Sequence, residues 1–342
     1  MKIRVGILTA PHIEYEQREN TFVLKNVRIG IGFHWDRYED QEFQGTLEIK
    51  SNPDGTETAI NTIDLEDYLC SVISSEMSAD SPMELLKAHA VISRSWAIRA
   101  MQKPNHEDFH VCADDHCQRY EGLLRMNERA VEAVRATKGQ VLMYGDEICD
   151  CRYYKCCGGK TEVWRTCWED IDVPYIQSVE CPYCGRVSDK TLRLVLNNYD
   201  QETTDFHDWK VTYTADELSE IIRTKSGIDF GQITDLIPLQ RGASGRICKL
   251  KIVGTKRTEI IGKELKIRLW LSKTCLYSSW FDISHNPSPV TGNPSWILTG
   301  HGWGHGAGLC QIGAAQMAAE GHTYEEILQY YYHCTRLSAA AQ

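Results

Sequence analysis

No stretch of 18 apolar residues occurs anywhere in the 342-residue chain, so nothing in it reads as a membrane-spanning helix. The opening MKIRVGILTAPHIEYEQREN meets Glu14 and Glu16 too soon to hold the apolar segment of a secretion signal. That points to the cytoplasm if the chain starts natively and to export if a leader has been trimmed. A positive excess is missing too: Lys and Arg number 37 against 47 Asp and Glu, a net charge of −10. A chain of that sign gains nothing from neutralising phosphates, which excludes nucleic acid as its partner. Proline is sparse, at 10 residues, and neither internal repeats nor low-complexity tracts occur, so disordered and collagen-like classes fall away.

Cysteine, by contrast, is plentiful, with 14 residues, seven of them between Cys149 and Cys184. Such clustering reads as metal or redox chemistry before it reads as a disulfide framework. At roughly 150 residues per domain the length suggests one large or two ordinary domains. The pattern is that of an α+β protein, in which a helical core and antiparallel sheet regions form a cleft. Residues 1–60 alternate as antiparallel strands around the NPDG turn. Residues 61–190 form the helical core with a Cys/His loop, and 191–295 are β-rich, with RICKLKIVG and ELKIRLWLS as strands and one helix over 214–224. A Pro-rich break at 286–295 precedes the last segment, 296–342, a Gly-rich loop and C-terminal helices that pack on the core. Ser81-Pro82-Met83-Glu84 reads as a capping box, and Thr323 with Glu326 as another.

Three constellations carry chemistry. In IDLEDYLCSVISSEM the apolar positions Leu65, Tyr68, Leu69, Val72 and Ile73 form one helical stripe with Asp64 as N-cap, and the next position in that register is Glu76. A carboxylate on an apolar stripe at a helix C-terminus is desolvated and meets the negative end of the helix dipole, which suits a general acid. Between Gly300 and Gly308 every second residue is glycine, with His301, Trp303 and His305 between them. Neither phosphate-binding fingerprint is present there; exposed backbone with a stacking face and imidazole donors suits a polysaccharide, and a tight structural bend is the alternative. In NHEDFHVCADDHCQ, His106, Cys112, His116 and Cys117 suit a structural tetrahedral Zn²⁺. His110 competes with His106, and a Cys112–Cys117 disulfide competes with the metal. Cys156, Cys157, Cys167, Cys181 and Cys184 could hold a second metal, with an iron–sulfur cluster, a further zinc or neighbouring reduced thiols all compatible.

Taken together, SSEMSADSPMELLKAHAVISRSWAIRAM, VCADDHCQRYEG, YYKCCGGKTEVW and GHGWGHGAGLCQIGAAQMAAEGHTYEEILQYYY resemble the SpoIID/LytB family, in the family's order and over most of the chain from residue 60 on. The resemblance implies that Glu76 is the catalytic glutamate and that Arg94, Gly158, Gly159, Thr161, His305, Gly306 and Gln311 match motif positions. With Trp303, these are the expected substrate-binding residues. It also implies zinc on the His/Cys loop, a place in the cell envelope, and cleavage of peptidoglycan glycan strands, stem peptides absent or present, by a lytic transglycosylase that leaves 1,6-anhydro-N-acetylmuramic acid ends. The other branch of the family implies a non-catalytic module that enhances an amidase partner; a cysteine-rich redox protein is a third reading. Four positions depart from the family pattern: His89 and Trp96 stand where Gln and Tyr are usual, and Cys157 and Cys310 where Ser is common.

Overall fold

The computed structural model describes residues 1–33, 36–114, 116–196, 206–286 and 295–340. The Pro-rich break lies outside these apart from its end residues. The architecture is α+β, with most strand pairs antiparallel. Strand Lys2–Ala10 lies beside Glu57–Asp64, which continues straight into helix α1 (Leu65–Glu76); the Asp64 carboxylate accepts from the Glu66 N–H at 2.9 Å and starts the helix. All five residues of the expected apolar stripe are buried.

Helix α2 (Met83–Gln102) organises the molecule because it is buried on nearly every side. Leu86, Ala90, Trp96, Ala97 and Ile98 pack with α1, with α3 (Glu128–Ala136) and with the N-terminal strands. Leu85, Ala88, Val91 and Ile92 pack into a second core, built from the cysteine-rich segment and the C-terminal helices Gln311–Ala319 and Tyr324–Tyr331. A third core, from Trp209 to Leu298, fills the β-rich region. No helix among the described residues is long and apolar enough to cross a membrane.

Local signals held where they were short-range. Thr323 closes the expected capping box with Glu326, and Asp64 the expected cap on α1; Thr214 with Glu217 closes a further box. Two expectations are corrected. ELKIRLWLS is not a strand: Glu264–Trp270 is a helix that buries Ile267 and the Glu264–Arg268 pair, whose i,i+4 spacing is helical. Ser81 makes no capping bond to α2, and Glu84 is used elsewhere, pairing with Lys87 and accepting from the Tyr324 N–H at 2.8 Å, so that it ties α2 to the last helix.

Candidate active site around Glu76

Glu76 is the last residue of α1 and is half-buried. Its Oε1 accepts from the backbone N–H of Arg119 at 2.8 Å and from the Tyr153 hydroxyl at 2.9 Å. Burial, and after it the Glu76 charge, push the Tyr153 phenol far above its usual range, so it stays a donor. Lys155, two residues on along the same extended segment and so on the same face, places Nζ 3.3 Å from the Glu76 carbonyl oxygen, a cation at the negative end of the α1 dipole. Gln118 donates to the Tyr153 hydroxyl and accepts from Tyr68 at 3.1 Å. Tyr153, Lys155 and Arg119 were not singled out from the sequence. The i,i+2 spacing of Tyr153 and Lys155, in a segment already matched to the family, was the available signal.

His305 and Gln311 reach this centre through Tyr153. His305 Nδ1 accepts from the Ala307 N–H at 3.1 Å, so its Nε2 carries the proton and donates to the Tyr153 carbonyl at 3.0 Å. Burial, with the charges of Arg152, Arg268 and Arg246, pushes the His305 pKa well below the usual imidazole range. Gln311 donates to His89 Nε2 at 3.0 Å, and the His89 ring lies 4.5 Å from that of Tyr153. Burial lowers the pKa of His89 to about 3, so it is a neutral acceptor.

Other expected residues are occupied by the protein itself. Arg94 is enclosed, with a bidentate pair to Glu66 at 2.8 and 2.7 Å and a further bond to the Gln140 carbonyl, so it holds α1 against α2. The Thr161 hydroxyl donates to the Gln177 carbonyl and accepts from the Val179 N–H. Gly158 and Gly302 face each other backbone to backbone: a Cβ on Gly158 would lie 2.6 Å from the Gly302 nitrogen. Trp303 is buried, stacked on Phe206 at 4.8 Å. A Cβ on Gly306 (φ 88°) would meet the Arg246 guanidinium at 2.5 Å. The reading of the Gly-rich loop as bare backbone for a sugar is thus corrected: its positive-φ glycines make room for the chain's own strands and arginine. Gly159 (φ 110°) is the exception, with only the edge of the His207 ring 4.0 Å away. Cavities of about 350 Å³ beside Trp164 and Ile176, and of about 900 Å³ along α3, do not include Glu76.

The Cys/His loop ends two residues before Arg119. The ligand atoms of His106, Cys112, His116 and Cys117 all lie within 4.8 Å of one another. His106 Nε2 and His116 Nδ1 stand 3.3 and 3.4 Å from Cys117 Sγ, and Cys112 Sγ is 3.8 Å from His116 Nδ1. A tetrahedral zinc with bonds of about 2.0 to 2.3 Å separates its ligands by about 3.3 to 3.8 Å, so the donor set fits. His110 is not in the group; its Nδ1 accepts from the Arg4 N–H at 3.0 Å. Both cysteines are free thiols.

A second group brings Cys157, Cys181, Cys184 and Cys310 to the same mutual distance, all buried. Cys310 therefore replaces two members of the expected set. Cys167 is elsewhere, its thiol 3.3 Å from the His305 carbonyl, and Cys156 flanks the group.

Comparison with known proteins places the chain in a family. A family profile described as stage II sporulation protein matches residues 53–144, the stretch holding α1, α2 and the Cys/His loop; a domain of unknown function (DUF8618) matches residues 162–308. An uncharacterized protein of Brachyspira hyodysenteriae is 30% identical over 324 residues, covering 92% of this chain and 79% of the relative. Stage II sporulation protein D of Bacillus subtilis (strain 168) is 27% identical over 299 residues, covering 82% and 76%. The chain belongs to the SpoIID/LytB family. The amidase enhancer of the same Bacillus is 26% identical over 300 residues, which are 78% of this chain and 40% of that larger protein. The profile match covers Glu76 and Arg119, whereas Tyr153 and Lys155 lie beyond its end at residue 144.

Proposed function

We propose that this SpoIID/LytB member acts on peptidoglycan and cleaves its glycan strands as a lytic transglycosylase, with Glu76 as the acid and base. The observation that carries the reading is the environment of Glu76: one carboxylate at a helix end, with one oxygen fixed by two donors and a lysine behind it. In a transglycosylase the sugar's own 6-hydroxyl closes on C1, so the nucleophile is intramolecular and a second carboxylate positioned for water is not required. Glu76 Oε2 would give its proton to the leaving glycosidic oxygen and then take one from the 6-hydroxyl, while Arg119 N–H and Tyr153 keep Oε1 in place. The Cys/His loop fits a structural zinc held by His106, Cys112, His116 and Cys117. The ion would be four-coordinate with protein ligands, and its part would be to fix Cys117 and hence the Arg119 N–H against Glu76.

The test is Glu76→Gln on purified glycan strands, with products analysed by mass. We expect anhydro-ended fragments from the native protein and a loss of turnover of about 10²- to 10⁴-fold in the variant, with an unchanged melting temperature. Near-native turnover in the variant would remove Glu76 from the mechanism. The amidase-enhancer reading, favoured by the match to a protein of that name, predicts instead no cleavage by the native protein and stimulation of an added amidase.

A further inference from the structure

We infer that Cys157, Cys181, Cys184 and Cys310 bind a single tetrahedral zinc ion, distinct from the one proposed on the Cys/His loop and standing behind the segment that presents Tyr153 and Lys155. The four sulfurs come from three separate stretches of chain: the turn after Tyr153, the Cys181-Pro-Tyr-Cys184 pair, and the residue that starts helix Gln311–Ala319. All four are buried, and their sulfurs lie within 4.8 Å of one another. A lone ion with Zn–S bonds of about 2.3 Å spaces its thiolates by about 3.8 Å, so this group is the right size. A four-iron cluster would spread its thiolates over a wider shell. All four are free cysteines, and Cys157 Sγ and Cys184 Sγ are 3.2 Å apart against about 2.05 Å for an S–S bond.

The surroundings are those of charged sulfur. Backbone N–H groups of Cys157 and Gly313 point at Cys310 Sγ at 3.2 and 3.3 Å, and that of Gly159 points at Cys157 Sγ at 3.4 Å. The Tyr331 hydroxyl lies 3.2 Å from Cys181 Sγ. The His207 ring meets Cys184, and its Nδ1 is held by Asp208 at 2.7 Å, which fixes the ring beside the sulfur. Glycine is required beside the sulfurs as well: a Cβ on Gly313 would lie 2.8 Å from Cys181 Sγ and 3.2 Å from Cys310 Sγ. Four thiols binding one Zn²⁺ release four protons and leave a tetrathiolate of net charge −2, which these N–H and O–H donors offset.

Binding the ion would clamp the strand pair Tyr153–Tyr154 and Leu309–Cys310 from behind, so its role is to position Tyr153 and Lys155. The inference stands whether or not the glycan reading does. The test is metal analysis with zinc K-edge X-ray absorption on the full chain, purified under reducing conditions. Two zinc ions per chain with an average shell of three sulfurs to one nitrogen are expected, and in Cys112→Ser/Cys117→Ser one ion with four sulfurs at about 2.3 Å. Cys310→Ser should remove that second ion while sparing the first. One ion per chain with two sulfurs and two nitrogens would overturn the inference, as would iron at the site or a Cys157–Cys184 disulfide found by mass in the freshly isolated chain. The wild-type shell decides the matter even if a variant fails to fold.

Discussion

His89 shows how a single side chain couples the site to pH. It is buried and neutral, accepting from Gln311 while facing Ser93 Oγ at 3.1 Å. Its pKa falls from about 6.5 in an unfolded chain to about 3 in the fold. Between those values the unfolded state binds a proton that the native state refuses, so stability drops as pH falls from about 6.5 and the loss is complete near pH 3. His89→Gln, which restores the residue usual in the family, keeps an acceptor for Gln311 and removes the titration. Urea denaturation at pH 7 and pH 4.5 should show the variant close to wild type at the first and less acid-sensitive at the second. An acid sensitivity equal to wild type would assign the effect to His305. None of this was legible in the sequence, where His89 was only a departure from a pattern. By contrast the place of Glu76 at the end of the α1 stripe was legible, because a 3.6-residue register is a local property, and its partner Tyr153 was not, because their bond spans 77 residues.

At the scale of elements, the Gly-rich loop is the clearest case of a signal read correctly as unusual and wrongly as to cause. Alternating glycines announce positive φ and close approach, but not what approaches. Here it is Cys157, Tyr154, Arg246 and Arg152 in turn, met by Gly302, Gly304, Gly306 and Gly308. The fully buried Arg246 donates to the Gly304 and Cys157 carbonyls and so fastens the loop to the cysteine-rich turn. Gly306→Val should therefore act on stability: a strained φ and an overlap with a buried guanidinium cost together about 2 to 6 kcal/mol. Denaturant titration should show a lower midpoint, and any loss of glycan binding should scale with the unfolded fraction. Binding lost at unchanged stability would return the loop to a direct ligand contact. The caps at Asp64 and Thr323 were readable because each closes within three residues. The box at Ser81 failed because Glu84 had a better partner 240 residues away, and ELKIRLWLS misled because an apolar run of that length does not separate strand from helix.

At the scale of the whole molecule, the class of fold was readable from the change of period along the chain, whereas the meeting of Cys310 with the Cys181–Cys184 pair was not, since 126 residues and two changes of core separate them. The decisive long-range feature is α2, whose opposite faces belong to two different cores. Neither core can open without stripping one side of that helix, so the two regions should share one cooperative unit rather than unfold in sequence. Native-state amide exchange makes this concrete. Amides of Ala88 to Ser95 should exchange only through global opening, with a urea dependence equal to that of complete unfolding, while those of the outlying strands Ile233–Arg241 and Thr258–Ile261 exchange through smaller openings. A helix that serves two cores is thus also a timer, setting the slowest clock in the molecule for both halves at once.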